Sequence, residues 1–236
     1  GKEKLPTEAG LDFYDRLVDH LLENTIQPFI TLNHWDIPQG LEDIGGWPNR
    51  SMVDAFVKYS YYVSTRLGDR AKNWITHNEP WCISYLGYIQ GQFPPGIKDN
   101  WPKSLATAHH LLLSHGMSIN EIRNNSNDSN IGITLNLSPS TPASKSQYDK
   151  EACKFYDGQF NRLYLDPLYK AQYPKDLFDS LIKKKYIQKE DLNFIKTEDL
   201  KVISKKTDFL GINFYSRAII LSLIHISEPT ILHCIA

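Results

Sequence analysis

Trp74-Ile75-Thr76-His77-Asn78-Glu79-Pro80-Trp81 is a short apolar run that passes directly into an amide, a carboxylic acid and a proline. The first three residues predict a buried β-strand, and the proline restricts the backbone where that strand ends. A carboxylic acid at such a point, between two tryptophans, suits a general acid that protonates a leaving oxygen. A glutamate that forms a salt bridge at the start of a loop fits the spacing equally well.

Three further apolar runs of the same kind lie along the chain, and helical patterns separate them. The runs cover residues 28–33, 131–137 and 208–214. Strands that alternate with helices indicate parallel βα units, and strands that are apolar on both faces indicate a sheet covered on both sides. The chain is therefore predicted to be an α/β protein. Helices are predicted over residues 11–22, 51–67, 104–123, 147–165, 175–184 and 189–204, with Ser51 as the cap of the second.

Two architectures fit this alternation: a doubly wound open sheet and a segment of a (β/α)8 barrel. No G-x-G-x-x-G motif or P-loop follows any of the strands, which disfavours a nucleotide-binding open sheet. Polar or aromatic side chains follow the carboxyl ends of all four strands, where barrel enzymes place their chemistry. They are His34-Trp35-Asp36, Asn78-Glu79, Asn136, and Asn213 with Tyr215. The fold predicted is a partial (β/α)8 TIM barrel, because a closed barrel needs eight strands.

The composition excludes several classes of protein. Of 236 residues, 41% are hydrophobic and 22% are charged, and 26 Lys and Arg balance 27 Asp and Glu, so neither disorder nor a basic nucleic-acid-binding domain is indicated. No apolar run is long enough to predict a membrane span. The three cysteines are widely spaced, which favours a reducing, cytoplasmic location. Gly1 is not a natural start, so a signal peptide upstream of it stays an open alternative. The sequence predicts no oligomeric state.

Histidines are the other candidates for chemistry. His34 lies beside the large aromatic side chain of Trp35 and can form hydrogen bonds at a strand end, although a lone histidine is more often structural. His109, His110 and His115 share one predicted helix, but no carboxylate is spaced to complete a metal site with them. They are predicted to be exposed residues of a packed helix, and the chain is expected to need neither metal nor cofactor.

Seven blocks of sequence, in order and with family-like spacing from about residue 7 to Ser216, resemble the family 1 glycoside hydrolases. This is the β-glucosidase and 6-phospho-β-glucosidase group. The blocks are Gly10–Asp19, Leu32–Gln39, Gly46–Arg50, Trp74–Trp81, Ile131–Asn136, Asp166–Leu168 and Asp208–Ser216. Seven collinear matches of this kind are highly specific. They correspond to strands three to six of the family's barrel, roughly half its length.

The resemblance implies a retaining, exo-acting β-glycosidase that hydrolyses terminal β-D-glucosides or related oligosaccharide ends. It makes Glu79 the acid/base, and it makes Asn78 the residue that holds the sugar 2-hydroxyl. The other positions that it assigns to the substrate site are His34, Trp35, Asn213 and Tyr215. In the family His34 would hydrogen-bond the glycone, Trp35 would shape the pocket, and the last two would lie beside the nucleophile.

Important parts of the family pattern have no counterpart in this sequence. The first two strands would precede Gly1, and the nucleophilic glutamate of a Thr-Glu-Asn-Gly block on the seventh strand has no match. The chain by itself is therefore expected to be inactive. A sugar-binding homologue without hydrolysis is the alternative, although the intact Asn78-Glu79 pair favours the enzyme. A glutamate on the next strand would favour the enzyme, and any other residue there would favour the sugar-binding homologue.

The resemblance stops after Arg217. Residues 218–226 form an uninterrupted apolar run, and residues 221–230 read like the translation of a sequencing adapter. The sequence therefore predicts one barrel fragment over residues 1–217 and a non-native tail over residues 218–236. The sequence around Glu228 superficially resembles the nucleophile block, but it follows the sixth strand too soon. Glu228 is therefore not interpreted as the nucleophile.

Overall fold

Four parallel strands form the main sheet of the protein, and a computed structural model describes residues 7–222. Residues 7–222 contain these four strands and two shorter ones, β4 and β6: β1 (Phe29–Asn33), β2 (Asn73–Asn78), β3 (Asn130–Asn136), β4 (Ser140–Pro142), β5 (Phe209–Asn213) and β6 (Ala218–Ile220). The helices are α1 (Glu8–Glu23), α2 (Gln39–Glu42), α3 (Ser51–Leu67), α4 (Trp101–Asn125), α5 (Gln147–Asp157), α6 (Leu163–Lys170), α7 (Lys175–Lys183) and α8 (Asp199–Ile203). Two π-helical turns (Cys82–Leu86 and Gly158–Arg162) and a 3₁₀ turn (Lys189–Leu192) complete the elements.

The order of the strands in the main sheet is β1-β2-β3-β5, which follows the chain without a reversal. A doubly wound sheet reverses its order at a switch point, so the open-sheet alternative does not describe this molecule. The sheet also curls strongly. Phe29 and Phe209 begin the two outer strands, yet their ring centroids are 6.0 Å apart across the concave face. Consecutive parallel pairing with this curvature is the topology of a partial barrel.

The core fills the layer between the convex face of the sheet and the helices. Trp74 of β2 and Ile131 of β3 are fully buried and pack in a cluster with Phe56 of α3 and Leu111 of α4. On the concave face, Gly132 contacts the ring of Phe209, and a Cβ atom at position 132 would lie 2.6 Å from that ring. The absence of a side chain there lets β5 approach β3 closely.

Several predicted helix boundaries are wrong. Helix α4 begins at Trp101, three residues before Ser104, because the Asn100 side chain accepts a hydrogen bond from the Lys103 N–H group. Ser51 is not a cap either, since its own N–H group donates to Asn49 Oδ1. The helix predicted over residues 147–165 contains the π-helical turn. The helix predicted over residues 189–204 is a 3₁₀ turn and the short α8, separated by turns.

The three histidines of α4 are buried, which corrects the prediction that they are exposed. Helix α4 lies over the sheet and packs against α3 and α8, so little of its surface reaches water. Their hydrogen-bond partners are protein groups: Asp199 and Tyr173 for His109, the Trp47 carbonyl for His110, and Thr76 for His115. Burial lowers the pKa of His115 to about 3. These residues stabilise the interior of the domain.

His109 belongs to a partly buried ionic network that joins distant parts of the chain. Arg50 makes two hydrogen bonds with Asp199, of 2.8 and 2.5 Å, and His109 Nε2 lies 2.9 Å from the same carboxylate. Burial lowers the pKa of His109 to about 4 despite this carboxylate. The neutral ring donates through Nε2 to Asp199 and accepts at Nδ1 from the Tyr173 hydroxyl, 2.8 Å away. The network fixes the start of α3 to α8.

The sequence pattern did not predict the small second sheet. Strand β6 pairs in parallel with β4, and the buried side chains of Ala218 and Ile220 pack against Cys153 and Tyr156. Residues 218–222 are thus part of the described structure. The origin of residues 218–236 stays a prediction, and Glu228 lies outside the described residues.

Two other features, a membrane-spanning helix and a metal site, are absent from residues 7–222. In that range, no helix is both long and apolar enough to cross a membrane. The same residues contain no group of three or more His, Cys, Asp and Glu side chains that could hold a metal ion.

Candidate active site

Each of the four parallel strands ends in an asparagine. The four are Asn33, Asn78, Asn136 and Asn213. The carboxyl ends of parallel strands meet at one edge of the sheet, and the amides of Asn78, Asn136 and Asn213 lie around a single site there. The Asn33 side chain instead contacts His77 and the Asp36 carbonyl. Glu79 follows Asn78 directly, and its side chain is 4% exposed. The site therefore combines one buried carboxylic acid with several neutral hydrogen-bonding groups.

The backbone turns sharply at Glu79. Its φ angle is +49°, in the left-handed region that non-glycine residues seldom occupy. Two main-chain hydrogen bonds hold this turn: the Glu79 N–H group donates to the Thr134 carbonyl at 2.8 Å, and the Glu79 carbonyl accepts from the Cys82 N–H group at 2.9 Å. Strained residues that the surrounding structure holds in place cluster at functional sites.

Three donors surround the Glu79 carboxyl group. Asn213 Nδ2 donates to Oε1 at 2.7 Å, and the Tyr215 hydroxyl donates to the same oxygen at 3.2 Å. Cys82 Sγ donates to the other oxygen, Oε2, at 3.2 Å. The negative charge of Glu79 raises the pKa of the exposed Tyr215 hydroxyl, and burial raises the pKa of the Cys82 thiol. Both groups therefore keep the protons that they donate.

Asn78 connects the acid to the loop after β1. Its Oδ1 accepts a hydrogen bond of 3.0 Å from Asn213, and its Nδ2 lies 3.4 Å from His34 Nε2. Its main-chain carbonyl accepts a hydrogen bond of 3.1 Å from Trp35 Nε1. The His34 and Trp35 rings are in contact, with centroids 4.8 Å apart. The structure thus brings all six predicted site residues into one connected cluster.

Two neighbours of this cluster were not predicted as site residues. Cys82 contacts the acid directly, and the Asn136 amide Nδ2 donates to Cys82 Sγ at 4.0 Å. The spacing of Cys82, three residues after Glu79, is the one signal in the sequence that could have indicated it. The position of Asn136 at a strand end was recognised, but the sequence does not indicate that it faces a thiol.

A cavity of about 420 Å³ lies beside the site, and Trp35 is the one site residue in its lining. Trp35, whose φ angle is +80°, forms part of its wall and contacts Phe93, with ring centroids 5.0 Å apart. Asp36, Gln39 and other polar side chains also line it. Flat aromatic walls with a few polar groups are typical of small-molecule sites.

Comparison with known proteins decides the family. The model of the family "Glycosyl hydrolase family 1" matches residues 1–228. The chain belongs to glycosyl hydrolase family 1. The family resemblance predicted from the seven sequence blocks is confirmed, and the match extends past Ser216, where the last of those blocks ends.

Curated members of the family align with most of this chain. Beta-glucosidase A of Acetivibrio thermocellus is 47% identical over 209 residues, which cover 89% of this chain and 45% of that protein. The 6-phospho-beta-glucosidase GmuD of Bacillus subtilis is 38% identical over 223 residues, or 94% of this chain and 47% of that protein. The chain spans about half the length of these relatives.

Solved family 1 structures superpose closely on the protein. A beta-glucosidase from Exiguobacterium marinum has a TM-score of 0.90 at 37% identity, and the alignment covers 99% of this chain and 53% of that one. A beta-glucosidase from Thermotoga maritima in complex with glucoimidazole has a TM-score of 0.83 at 35% identity. That alignment covers 92% of this chain and 48% of the other. The predicted partial (β/α)8 barrel is thus confirmed, and the chain is part of a family 1 glycoside hydrolase.

Proposed function

We propose that this chain supplies the acid/base half of the active site of a retaining, exo-acting β-glycosidase. Its substrates are terminal β-D-glucosides or closely related β-glycosides. The observation that carries the proposal is Glu79, a buried carboxylic acid at the carboxyl end of a barrel strand, with three hydrogen-bond donors around it. Glu79 protonates the glycosidic oxygen as the bond breaks and then activates the water that completes hydrolysis.

The neighbouring side chains hold the sugar against this acid. Asn78 binds the 2-hydroxyl, the role that the family resemblance gives it, and Asn213 fixes its amide beside the carboxyl group. His34 binds other hydroxyls of the terminal sugar, and Trp35 forms a wall against its apolar face. Hydrogen bonds to the 2-hydroxyl that strengthen in the transition state add several kcal/mol to catalysis in such enzymes.

A retaining enzyme needs a second carboxylate about 5–5.5 Å from the first, as its nucleophile. In residues 7–222, the four parallel strands all end in neutral amides, and Glu79 is the acid that directly follows one of them. We therefore place the nucleophile on a strand beyond the described residues. Asn213 ends the last strand of the described sheet, Tyr215 follows two residues later, and both would line the site beside the nucleophile.

The names of the relatives support a β-glycoside substrate. Two of them, 47% and 39% identical to this chain, are named as a beta-glucosidase and as a 1,4-beta-D-glucan glucohydrolase. Two others are named as a 6-phospho-beta-galactosidase and a 6-phospho-beta-glucosidase. The shared feature is a β-linked terminal sugar, and we propose a glucoside without a phosphate group because the two relatives named first have the higher identities.

A hybrid enzyme tests the proposal. It carries residues 7–217 of this chain in place of the matching segment of Beta-glucosidase A from Acetivibrio thermocellus, which supplies the remaining strands. We expect the hybrid to hydrolyse an aryl β-D-glucoside and to release β-glucose first, as nuclear magnetic resonance of the product would show. The unaltered relative is the control for the assay.

The same experiment separates hydrolysis from binding alone. A folded hybrid that binds deoxynojirimycin but releases no glucose would favour the sugar-binding alternative. Release of α-glucose first would contradict a retaining mechanism. Circular dichroism and thermal unfolding of the hybrid establish that it is folded before either conclusion is drawn.

A further inference from the structure

The thiol of Cys82 lies directly against the proposed acid. Cys82 is 5% exposed, and its Sγ donates to Glu79 Oε2 at 3.2 Å. The main-chain N–H group of the same residue donates to the Glu79 carbonyl at 2.9 Å. Cys82 begins the π-helical turn that follows Glu79, so its position relative to the acid is set by the backbone. One residue therefore holds both the main chain and the side chain of Glu79.

A second contact orients the thiol. Asn136, at the end of β3, directs its Nδ2 donor at Cys82 Sγ from 4.0 Å. With the amide N–H group facing the sulfur, the thiol proton points towards Glu79 Oε2. The other oxygen, Oε1, has different surroundings. It accepts hydrogen bonds from Asn213, which also donates to Asn78, and from Tyr215, which is 78% exposed.

The donor to Glu79 Oε2 is a thiol, and the type of donor matters because an acid/base residue must change its protonation state. Any donor to a carboxylate favours the ionised form, and a stronger donor favours it more. A thiol is a weak donor compared with a hydroxyl. Burial raises the pKa of the Cys82 thiol, so the group stays protonated and continues to donate. Such a donor can orient the carboxyl group while leaving it free to take up and release a proton.

We propose that Cys82 is a positioning residue for Glu79: it holds Oε2 and thereby directs Oε1 towards the sugar site beside Asn78. This inference rests on the proposed role of Glu79 as acid/base. It assigns to a buried thiol a function in the reaction without contact with the substrate. The titratable groups near the pair are Tyr215 beside Glu79, Tyr164 beside Cys82, and His34 beyond Asn78.

Two substitutions at position 82 are expected to shift the pH profile of the hybrid enzyme in opposite directions. In Cys82→Ser a stronger donor favours ionised Glu79, so the alkaline limb of kcat/KM moves to lower pH by about one unit. In Cys82→Ala the donor is lost and the limb moves to higher pH. The measurement uses an alkyl β-glucoside, whose leaving group requires protonation. Damage to packing alone would not produce shifts of opposite sign.

Controls keep this test independent of folding and of the proposed function. Cys153 is also buried, but its Sγ donates to Ser140 Oγ, so Cys153→Ser is expected to leave the limb unchanged. The Raman S–H stretching band of Cys82 should shift in Glu79→Gln, which reports the contact without any assay of activity. If Cys82→Ala does not fold, the near-isosteric serine variant and this band decide the question.

The possible failures are distinguishable. If Glu79→Gln impairs alkyl glucosides selectively while the Cys82 variants leave the alkaline limb in place, the positioning role is wrong and the acid/base role stands. If Glu79→Gln has no selective effect, the proposed function itself is wrong. An S–H band that Glu79→Gln leaves unchanged would also overturn the inference.

Discussion

Replacement of Glu79 by Gln in the hybrid enzyme is expected to slow hydrolysis of alkyl β-glucosides by about 10²- to 10⁴-fold. An amide cannot donate the proton that an alkoxide leaving group needs. The activated phenol of an aryl glucoside can leave without that proton, so the rate of hydrolysis of an aryl glucoside should fall far less. Glutamine keeps the size of the side chain and can still accept hydrogen bonds from Asn213 and Tyr215.

The measurement is kcat/KM for a series of glucosides with leaving groups of graded acidity. Glu23→Gln is the matched control, because Glu23 lies at the exposed end of α1, where its side chain faces His20 and no residue of the site. It should change neither class of substrate. Equal losses on alkyl and aryl glucosides in Glu79→Gln would count against an acid/base role for Glu79.

The 236-residue chain expressed alone is expected to show no hydrolysis of an aryl β-glucoside above background. A single carboxylic acid supplies only part of a retaining mechanism, which needs two carboxylates. The described sheet also has two free edges, on β1 and β5. Phe29 and Ile212, on these outer strands, are 58% and 56% exposed. Unpaired edges with exposed apolar side chains promote aggregation, so the chain should be insoluble or loosely packed.

Turnover, size-exclusion chromatography and thermal unfolding check this prediction, with the hybrid enzyme as the positive control. A soluble monomer with a sharp unfolding transition, and with glucosidase activity that Glu79→Gln abolishes, would overturn it. The nucleophile would then have to lie within the 236 residues, and Glu228 would be the first position to replace.

The sequence predicted the sheet well because its strands are short apolar runs that end in polar residues. Their parallel direction requires that Asn78, Glu79 and Asn213 meet at one edge, and the hydrogen bonds among them follow from that topology. The contact with Cys82 could not be predicted in this way. It depends on the left-handed backbone at Glu79, for which the sequence has no distinctive pattern.

Burial of the α4 histidines illustrates a second limit. Whether His109 faces water depends on which sides of the helix α3 and α8 cover, and α8 lies about 90 residues further along the chain, as the His109–Asp199 separation indicates. The pairing of β6 with β4 is similarly non-local, since Ala218 meets Ser140. Local patterns carry no information about such contacts.

The consecutive pairing of the strands bears on how the protein is made. Each strand of the main sheet finds its partner in the strand that precedes it in that sheet, so units can join in the order in which the ribosome delivers them. Such growth always leaves the newest strand with an open edge, and a partial barrel keeps two open edges until its first and last strands pair. Open strand edges promote aggregation, so the growing sheet is exposed to that risk until the barrel closes.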